Sequence, residues 1–153
     1  MLKLSRILDK NCIKLDMSAV RKRDAISELL EVLKDSGKID NTEPLLNDIC
    51  EREKSASTGI GYGIAIPHKI VDGLEKTIIA FGRKKEGINF DSIDGKPATL
   101  FFLILGKEGS TGSHLRLLSK LARLLHDPDF RESLYSAQSA EDIINAFAGE
   151  DDE

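Results

Sequence analysis

The sequence lacks tryptophan, carries no excess of basic residues and contains only two cysteines among 153 residues. Its 22 lysines and arginines are outnumbered by 26 aspartates and glutamates, which gives a net charge of −4. Proteins that hold nucleic acid by its phosphate backbone carry the opposite excess, so we expect no nucleic-acid partner. Two cysteines are too few for a disulfide scaffold, and we interpret both as reduced thiols.

Long hydrophobic runs are missing as well. The most apolar run covers residues 100–105 and is far too short to cross a bilayer. The first six residues lack the apolar core of a signal peptide. We therefore expect a cytoplasmic protein that does not insert into a membrane.

The composition that is present fits one ordinary domain. A chain of 153 residues is long enough to bury a core, and 41% hydrophobic with 31% charged residues is typical of globular proteins. No repeat, low-complexity tract or linker divides the sequence. We expect a single domain over residues 1–149 and an acidic tail over residues 150–153.

Helical and extended patterns alternate along the chain. Apolar residues at helical spacing predict helices over residues 18–36, 42–52, 113–126, 128–134 and from 139 onward. Runs of β-branched and aromatic residues predict strands over residues 62–66, 77–82 and 98–105. The last strand is apolar on both faces and is therefore central. We expect an α/β fold, with a mixed sheet of about five strands and helices on both faces.

The least ordinary segment is the glycine-rich run that ends at His68. In an extended strand, alternation places Gly59, Gly61, Gly63 and Ala65 on one side, which leaves that face without large side chains. Such a bare face is expected where a packed helix, a ligand or a partner protein approaches the backbone. The glycines match neither the dinucleotide-binding nor the P-loop pattern, so we expect no nucleotide cofactor.

Three side chains are candidates for chemistry. His68 follows Pro67, whose restricted backbone helps to hold the imidazole at one angle. His114 falls in the first turn of a predicted helix, where unpaired N–H groups favour a bound anion over an imidazolium. Arg52 lies at the end of the second helix, and its guanidinium matches the geometry of phosphate. The alternative interpretations are a solvent histidine, a capping histidine and a solvated arginine between two glutamates.

These residue types suit phosphoryl transfer. A histidine accepts a phosphoryl group when one ring nitrogen is an unprotonated nucleophile and the other is held by a hydrogen bond. Neighbouring strand ends bring His68 and His114 together, and His114 with Arg52 would neutralise the transferring group. A second hypothesis is a metal-dependent hydrolase that uses both histidines with Asp91 or Asp94, although no metal-ligand spacing supports it. A third is an interaction module in which His68 is silent.

Several ordered segments together resemble the fructose/mannitol-type enzyme IIA domains of the bacterial phosphoenolpyruvate-dependent phosphotransferase system, including the nitrogen-related IIA proteins. The segments are residues 52–53, 57–61, 65–68, 87–91 and 114–118. The resemblance covers nearly the whole chain and implies a mixed five-stranded sheet flanked by helices. It also implies that His68 is phosphorylated on Nε2, that His114 is the second active-site histidine and that Arg52 is the active-site arginine.

The resemblance implies protein partners and no metal or other cofactor. The donor would be a histidine phosphocarrier of the HPr type, and the acceptor a cysteine of a IIB component or a regulatory target protein. The glycine face would form part of the docking surface. Because the sequence contains no IIB or membrane component, we expect a nitrogen-related regulatory role, with fructose/mannitol-type sugar transport as the alternative.

Two positions depart from the family pattern. Lys69 stands where a small residue is frequent after the histidine, which changes the charge of the docking surface. Residues 106–108 replace a loop that usually contains proline, which bears on the distance between His68 and His114.

Overall fold

Helices and strands alternate through the chain, of which the computed structural model describes residues 3–151. The helices are α1 (Leu4–Ile7), α2 (Lys22–Asp35), α3 (Glu43–Ser55), α4 (Thr111–Leu125), α5 (Pro128–Tyr135) and α6 (Ala140–Asp151), with a 3₁₀ turn at Lys10–Cys12. The strands are β1 (Ile13–Lys14), β2 (Gly59–Gly61), β3 (Ile64–Ala65), β4 (His68–Val71), β5 (Ile78–Ile88) and β6 (Ala98–Lys107). The predicted α/β class is confirmed.

The sheet is mixed and is organised around β6. Its strand order is β1-β5-β6-β3-β2, and β4 pairs with β6 next to β3. β5 runs antiparallel to β6, whereas β3 and β4 run parallel to it. The sheet has six strands in the described part of the chain, in agreement with the expected mixed sheet of about five.

β6 is buried on both faces because a separate core lies on each side of it. One core lies under α2 and α3, and the other lies under α4, α5 and α6. Alternate residues of β6 enter the two cores: Phe101, Leu103 and Leu105 enter the first, and Leu100, Phe102 and Ile104 the second. Burial of each such side chain contributes about 1.5–3 kcal/mol, so the register of β6 is strongly fixed.

The glycine-rich run is a β-hairpin, so the prediction of one continuous strand with a bare face is wrong. Gly61, Tyr62 and Gly63 have φ values of 91°, 58° and 77° and turn the chain between β2 and β3. Glycine adopts this left-handed backbone at no steric cost, which is why the turn forms here. The segment that packs closely against Gly59 is the protein's own loop between β5 and β6, because a Cβ on Gly59 would collide with Ser92.

α2 begins at Lys22, four residues later than the pattern predicted. The backbone N–H groups of Ser18 and Ala19 donate to the carboxylate of Glu28 at 2.9 and 2.8 Å. This side chain reaches back from the second turn of the helix and holds the preceding segment in a non-helical conformation. The competing hydrogen bonds therefore delay the helix start.

The C-terminal helices follow the predicted pattern. Asp127 caps α5, because its carboxylate accepts a hydrogen bond from the N–H of Asp129 at 3.0 Å. α6 continues to Asp151, into the predicted acidic tail, whose residues 152–153 lie outside the described residues. The boundary at residue 149 stays a prediction. None of the helices within residues 3–151 is long and apolar enough to cross a membrane.

Arg83 on β5 is a buried charge that ties the sheet to the segment after α5. Its side chain is 4% exposed, and its guanidinium donates to the carbonyl oxygens of Leu15 (3.2 Å), Leu134 (3.2 Å), Tyr135 (3.1 Å) and Ala137 (2.7 Å). Two of these carbonyls end α5, where a helix leaves acceptors without intrahelical partners. Arg83 therefore donates hydrogen bonds to carbonyl groups that lack a partner within a helix or a strand.

Arg83→Met is expected to lower the free energy of unfolding by about 2–4 kcal/mol, because it leaves buried carbonyl oxygens without donors. Urea unfolding followed by circular dichroism measures the loss. The control is Arg123→Met on the exposed face of α4, which is expected to change stability by less than about 0.5 kcal/mol. Equal stabilities for the two variants would contradict the role given to Arg83.

Candidate active site

His68 is the first residue of β4, and its ring is held by a backbone carbonyl. Nδ1 lies 2.8 Å from the carbonyl oxygen of Ile66, which only accepts, so Nδ1–H is the donor. In the neutral ring this bond leaves Nε2 unprotonated, with its lone pair available. The carbonyl of Pro67 accepts from the N–H of Ile104 at 2.9 Å and anchors the strand start to β6. The imidazole is thus oriented as a nucleophile at Nε2.

His114 lies in the first turn of α4, directly beside His68. The two ring centroids are 5.4 Å apart and the rings are tilted by 52°. His114 is 5% exposed, and neither of its ring nitrogens has a hydrogen-bond partner among the described residues. The predicted pairing of the two histidines is therefore present in the structure.

Gly106 makes the space that His114 occupies. A Cβ at this position would lie 2.6 Å from Nδ1 of His114 and 2.7 Å from Cδ1 of Ile70. Gly106 pairs with Ile70 across β6 and β4, two residues beyond the pair of Ile104 with His68. Gly106 lies in β6 rather than in a loop, and its missing side chain leaves room for His114 to lie against the sheet beside His68.

The electrostatic environment of His114 disfavours its protonated form. Burial lowers the pKa of His114 below its ordinary value, and the charges of His68 and Arg52 lower the pKa further. The unpaired N–H groups of the helix N-terminus act in the same direction. The neutral imidazole is therefore the favoured form of His114.

Arg52 is exposed in the last turn of α3. Its positive charge contributes to lowering the pKa of His114. Its guanidinium forms neither a hydrogen bond nor an ion pair with any residue from 3 to 151, although a glutamate precedes it and another follows. The structure thus brings the two rings together, and the guanidinium of Arg52, unpaired among the described residues, acts on His114 through its charge.

Glu53 is a buried carboxylate whose role the sequence patterns did not reveal. It is 7% exposed and accepts from the N–H and the hydroxyl of Thr58 at 3.0 and 2.5 Å, and Lys22 lies 3.0 Å away. These bonds connect the end of α3 to the start of β2. Glu53 therefore fixes the helix end that carries Arg52. A glutamate five residues before a threonine is the signal in the sequence, but it indicates nothing until the helix end is known.

The two aspartates of the metal-hydrolase hypothesis serve the loop between β5 and β6. Asp91 pairs with Lys22 at 3.4 Å, and Asp94 accepts from the N–H groups of Tyr62 and Lys96 at 3.1 and 3.0 Å. Residues 3–151 contain no group of three or more histidine, cysteine or acidic side chains placed to hold a metal ion. The geometry gives this hypothesis no support.

Gly106→Ala is expected to displace the ring of His114 and to lower the free energy of unfolding by about 1–3 kcal/mol through overpacking. Displacement of the His114 ring from His68 is expected to change the NMR chemical shifts of both histidines. Urea unfolding measures the free energy of unfolding. Gly112→Ala is the matched control in the first turn of α4, because its Cβ would meet nothing closer than 3.7 Å. Unchanged histidine signals in Gly106→Ala would contradict the role given to this glycine.

His114 is also expected to make stability depend on pH. Its pKa in the folded chain lies below the ordinary value of about 6.5, so the unfolded chain takes up the proton first. The contribution of neutral His114 to the free energy of unfolding is fully present above about pH 6.5. It is lost as the pH falls below that value, with a slope of at most about 1.4 kcal/mol per pH unit. Urea unfolding between pH 7.5 and pH 5 measures the slope, and His114→Gln is expected to reduce it. An equal slope in the variant would show that His114 does not titrate in this way.

Comparisons with known proteins agree with this geometry. The family described as phosphoenolpyruvate-dependent sugar phosphotransferase system, EIIA 2, matches residues 6–149. The PTS system fructose-specific EIIA component of Haloferax volcanii is 39% identical over 145 residues, which cover 95% of this chain and 94% of that protein. The fructose-specific EIIABC component of Bacillus subtilis is 40% identical over 144 residues, and the chain spans 23% of its length.

The fold comparison gives the same result. The crystal structure of the nitrogen regulatory protein IIA-Ntr from Neisseria meningitidis superposes with a TM-score of 0.86 at 36% sequence identity, covering 94% of this chain and 98% of that one. The family match extends over almost all of the sequence. The chain belongs to the EIIA type 2 family of the phosphoenolpyruvate-dependent sugar phosphotransferase system, whose members are phosphoryl carriers.

Proposed function

We propose that His68 is the residue that carries the phosphoryl group, on Nε2. The observation that supports this most directly is the hydrogen bond from Nδ1–H of His68 to the carbonyl oxygen of Ile66. A second, buried histidine, His114, lies beside this ring, with 5.4 Å between the two ring centroids. One ring nitrogen is occupied by the bond and the other is left as the nucleophile. This is the arrangement that phosphoryl transfer to a histidine needs.

In the proposed step, the lone pair of Nε2 attacks phosphorus while the bond from phosphorus to the donor's histidine breaks. The donor ring leaves with its electron pair, and no proton has to leave His68, because its single ring proton stays on Nδ1. The ring becomes positively charged as the new bond forms. The carbonyl oxygen of Ile66 then stabilises that charge through the same hydrogen bond.

His114 and Arg52 would stabilise the transferring group. A phosphoryl group carries negative charge on its equatorial oxygens, and donors placed around it lower the barrier. The buried nitrogens of His114 have no hydrogen-bond partner within residues 3–151, so a ring N–H is available to donate to such an oxygen. The free guanidinium of Arg52 would supply permanent positive charge.

The partners we propose are an HPr-like phosphocarrier as donor and either a IIB component or a regulatory target as acceptor. The glycine-rich run forms a hairpin and Gly59 is covered by Ser92, so it presents no bare face on which a partner could dock. We therefore place the docking surface beside the two histidines. Leu115, which follows His114 and is 57% exposed, is an apolar side chain beside the site that a partner would cover. A protein donor brings its own phosphoryl group, so the proposed reaction needs neither nucleotide nor metal.

For the downstream step we propose a regulatory role. Phosphorylation adds negative charge at the surface that partners contact, which is enough to change which protein binds. The similarity to a nitrogen regulatory protein over nearly the whole chain supports this role. Sugar transport is the second candidate, because a fructose-specific EIIA component is similar over a comparable length.

Phosphorylation is tested with radiolabelled phosphoenolpyruvate and the two general phosphotransferase proteins. We expect an acid-labile, base-stable label on the chain and none on His68→Gln. His114→Ala is expected to be labelled about 10- to 100-fold more slowly, as for the loss of one donor to a transferring anion. The control is His126→Gln at the end of α4, which is expected to be labelled at the normal rate.

Label on His68→Gln would refute the assignment of the acceptor, and an unchanged rate in His114→Ala would refute the role of the second ring. Transfer from the labelled chain to a fructose-type IIB protein separates the two downstream functions. A regulatory protein is expected to keep most of its label. Rapid and complete transfer would instead establish the sugar-transport alternative.

A further inference from the structure

Arg52 has no ion-pair partner in the part of the chain that the structure describes, although three carboxylates lie close to it along α3. Glu51 and Glu53 flank it in sequence, and Asp48 precedes it by four residues. An arginine paired with a carboxylate would have part of its charge neutralised and its donors occupied, and it would be less able to hold a phosphoryl group. The availability of Arg52 therefore depends on where these three carboxylates are held.

The two flanking glutamates cannot face Arg52, because successive residues of a helix point in different directions. Glu51 pairs with Lys54 at 3.3 Å on the outside of α3. Glu53 points into the protein, where it binds Lys22 and Thr58. Neither carboxylate competes for the guanidinium.

Asp48 does face Arg52, because residues four apart lie on the same side of a helix. An aspartate four residues before an arginine also has the orientation that favours an ion pair. In this structure Asp48 instead pairs with Lys69 on β4, at 3.4 Å. Lys69 is the one residue of the described chain that forms a salt bridge with this competing carboxylate.

Lys69 reaches Asp48 because of its place in the strand. Consecutive strand residues point to opposite faces. His68 pairs with Ile104, which faces the core under α4, whereas Lys69 pairs with Leu105, which faces the core under α2 and α3. The lysine side chain therefore lies on the side of α3 while the preceding histidine lies beside His114.

We propose that Lys69 is a positioning residue that holds Asp48 and thereby keeps Arg52 free for the phosphoryl group on His68. It acts through the carboxylate and the guanidinium and does not contact the phosphoryl group itself. The inference rests on the proposed function for the identity of the reaction. The ionic arrangement can also be tested without any phosphorylation.

The kinetic test is a single-turnover measurement of His68 phosphorylation at saturating phosphorylated donor. Lys69→Met releases Asp48 to pair with Arg52 and is expected to lower the maximal rate by about 1.4- to 2.3-fold, which corresponds to the free energy of one helical ion pair. The double variant Asp48→Asn with Lys69→Met is expected to regain the original rate. Lys54→Met is the matched control, since it removes the same charge but releases Glu51, which cannot face Arg52.

A change in docking charge would also be cancelled in the double variant, so a third arm is needed. In an Arg52→Met background, Lys69→Met is expected to have no further effect on the maximal rate, because the guanidinium through which it acts is gone. An equal effect in both backgrounds would overturn the proposal. So would a slow double variant or an unchanged rate in Lys69→Met.

The second measurement is an NMR titration of His114. The charge of Arg52 helps to hold the pKa of His114 below its ordinary value. Lys69→Met is therefore expected to raise that pKa, and adding Asp48→Asn is expected to reverse the change. If the wild-type chain takes up no phosphoryl label but the variants show this rise and reversal of the pKa of His114, the proposed function is refuted and the ionic arrangement stands. If the chain is labelled but the pKa of His114 does not change in this way, the role of Lys69 is refuted.

Discussion

The parallel pairing of β4 with β6 is the constraint on which the candidate site depends. It places His68 opposite Ile104 and sets Gly106 two residues further along, where the missing side chain admits the ring of His114. A shift of one residue would turn His68 to the other face of the sheet and put a side chain where the second ring lies. The two cores that enclose β6 fix the position of the strand against which His68 and Gly106 are aligned, so hydrophobic burial supports the geometry of the histidine pair.

The site combines two adjacent histidine rings with an arginine that has no ion-pair partner among the described residues. In a neutral His68 ring, the bond to Ile66 leaves Nε2 without a proton, and burial disfavours the charged form of His114. The permanent positive charge of Arg52 adds to the effects that disfavour protonation of His114. In the proposed function, this combination would attract a phosphoryl group without requiring a proton to leave first, which suits a carrier that must accept and release the same group in turn.

Local patterns predicted the central strand, the helix that carries His114 and the motif around His68, because each depends on residues close together in sequence. The alternating glycines fit a strand as well as a turn, and only the positive φ of Tyr62 and its neighbours distinguishes the hairpin. The space at Gly106 and the ion pair of Lys69 join segments far apart in the chain. Their geometry depends on strand register and on the position of α3, which spacing along one segment does not contain.

The central claim is that His68 presents an unprotonated Nε2 because Nδ1–H is bonded to a backbone carbonyl. Long-range ¹H–¹⁵N correlation spectra of the imidazole rings, recorded on the unphosphorylated chain above pH 7, report directly which nitrogen carries the proton. The account predicts a protonated Nδ1 and an unprotonated Nε2 for His68. A ring of His68 protonated on Nε2, with Nδ1 bare, would contradict it.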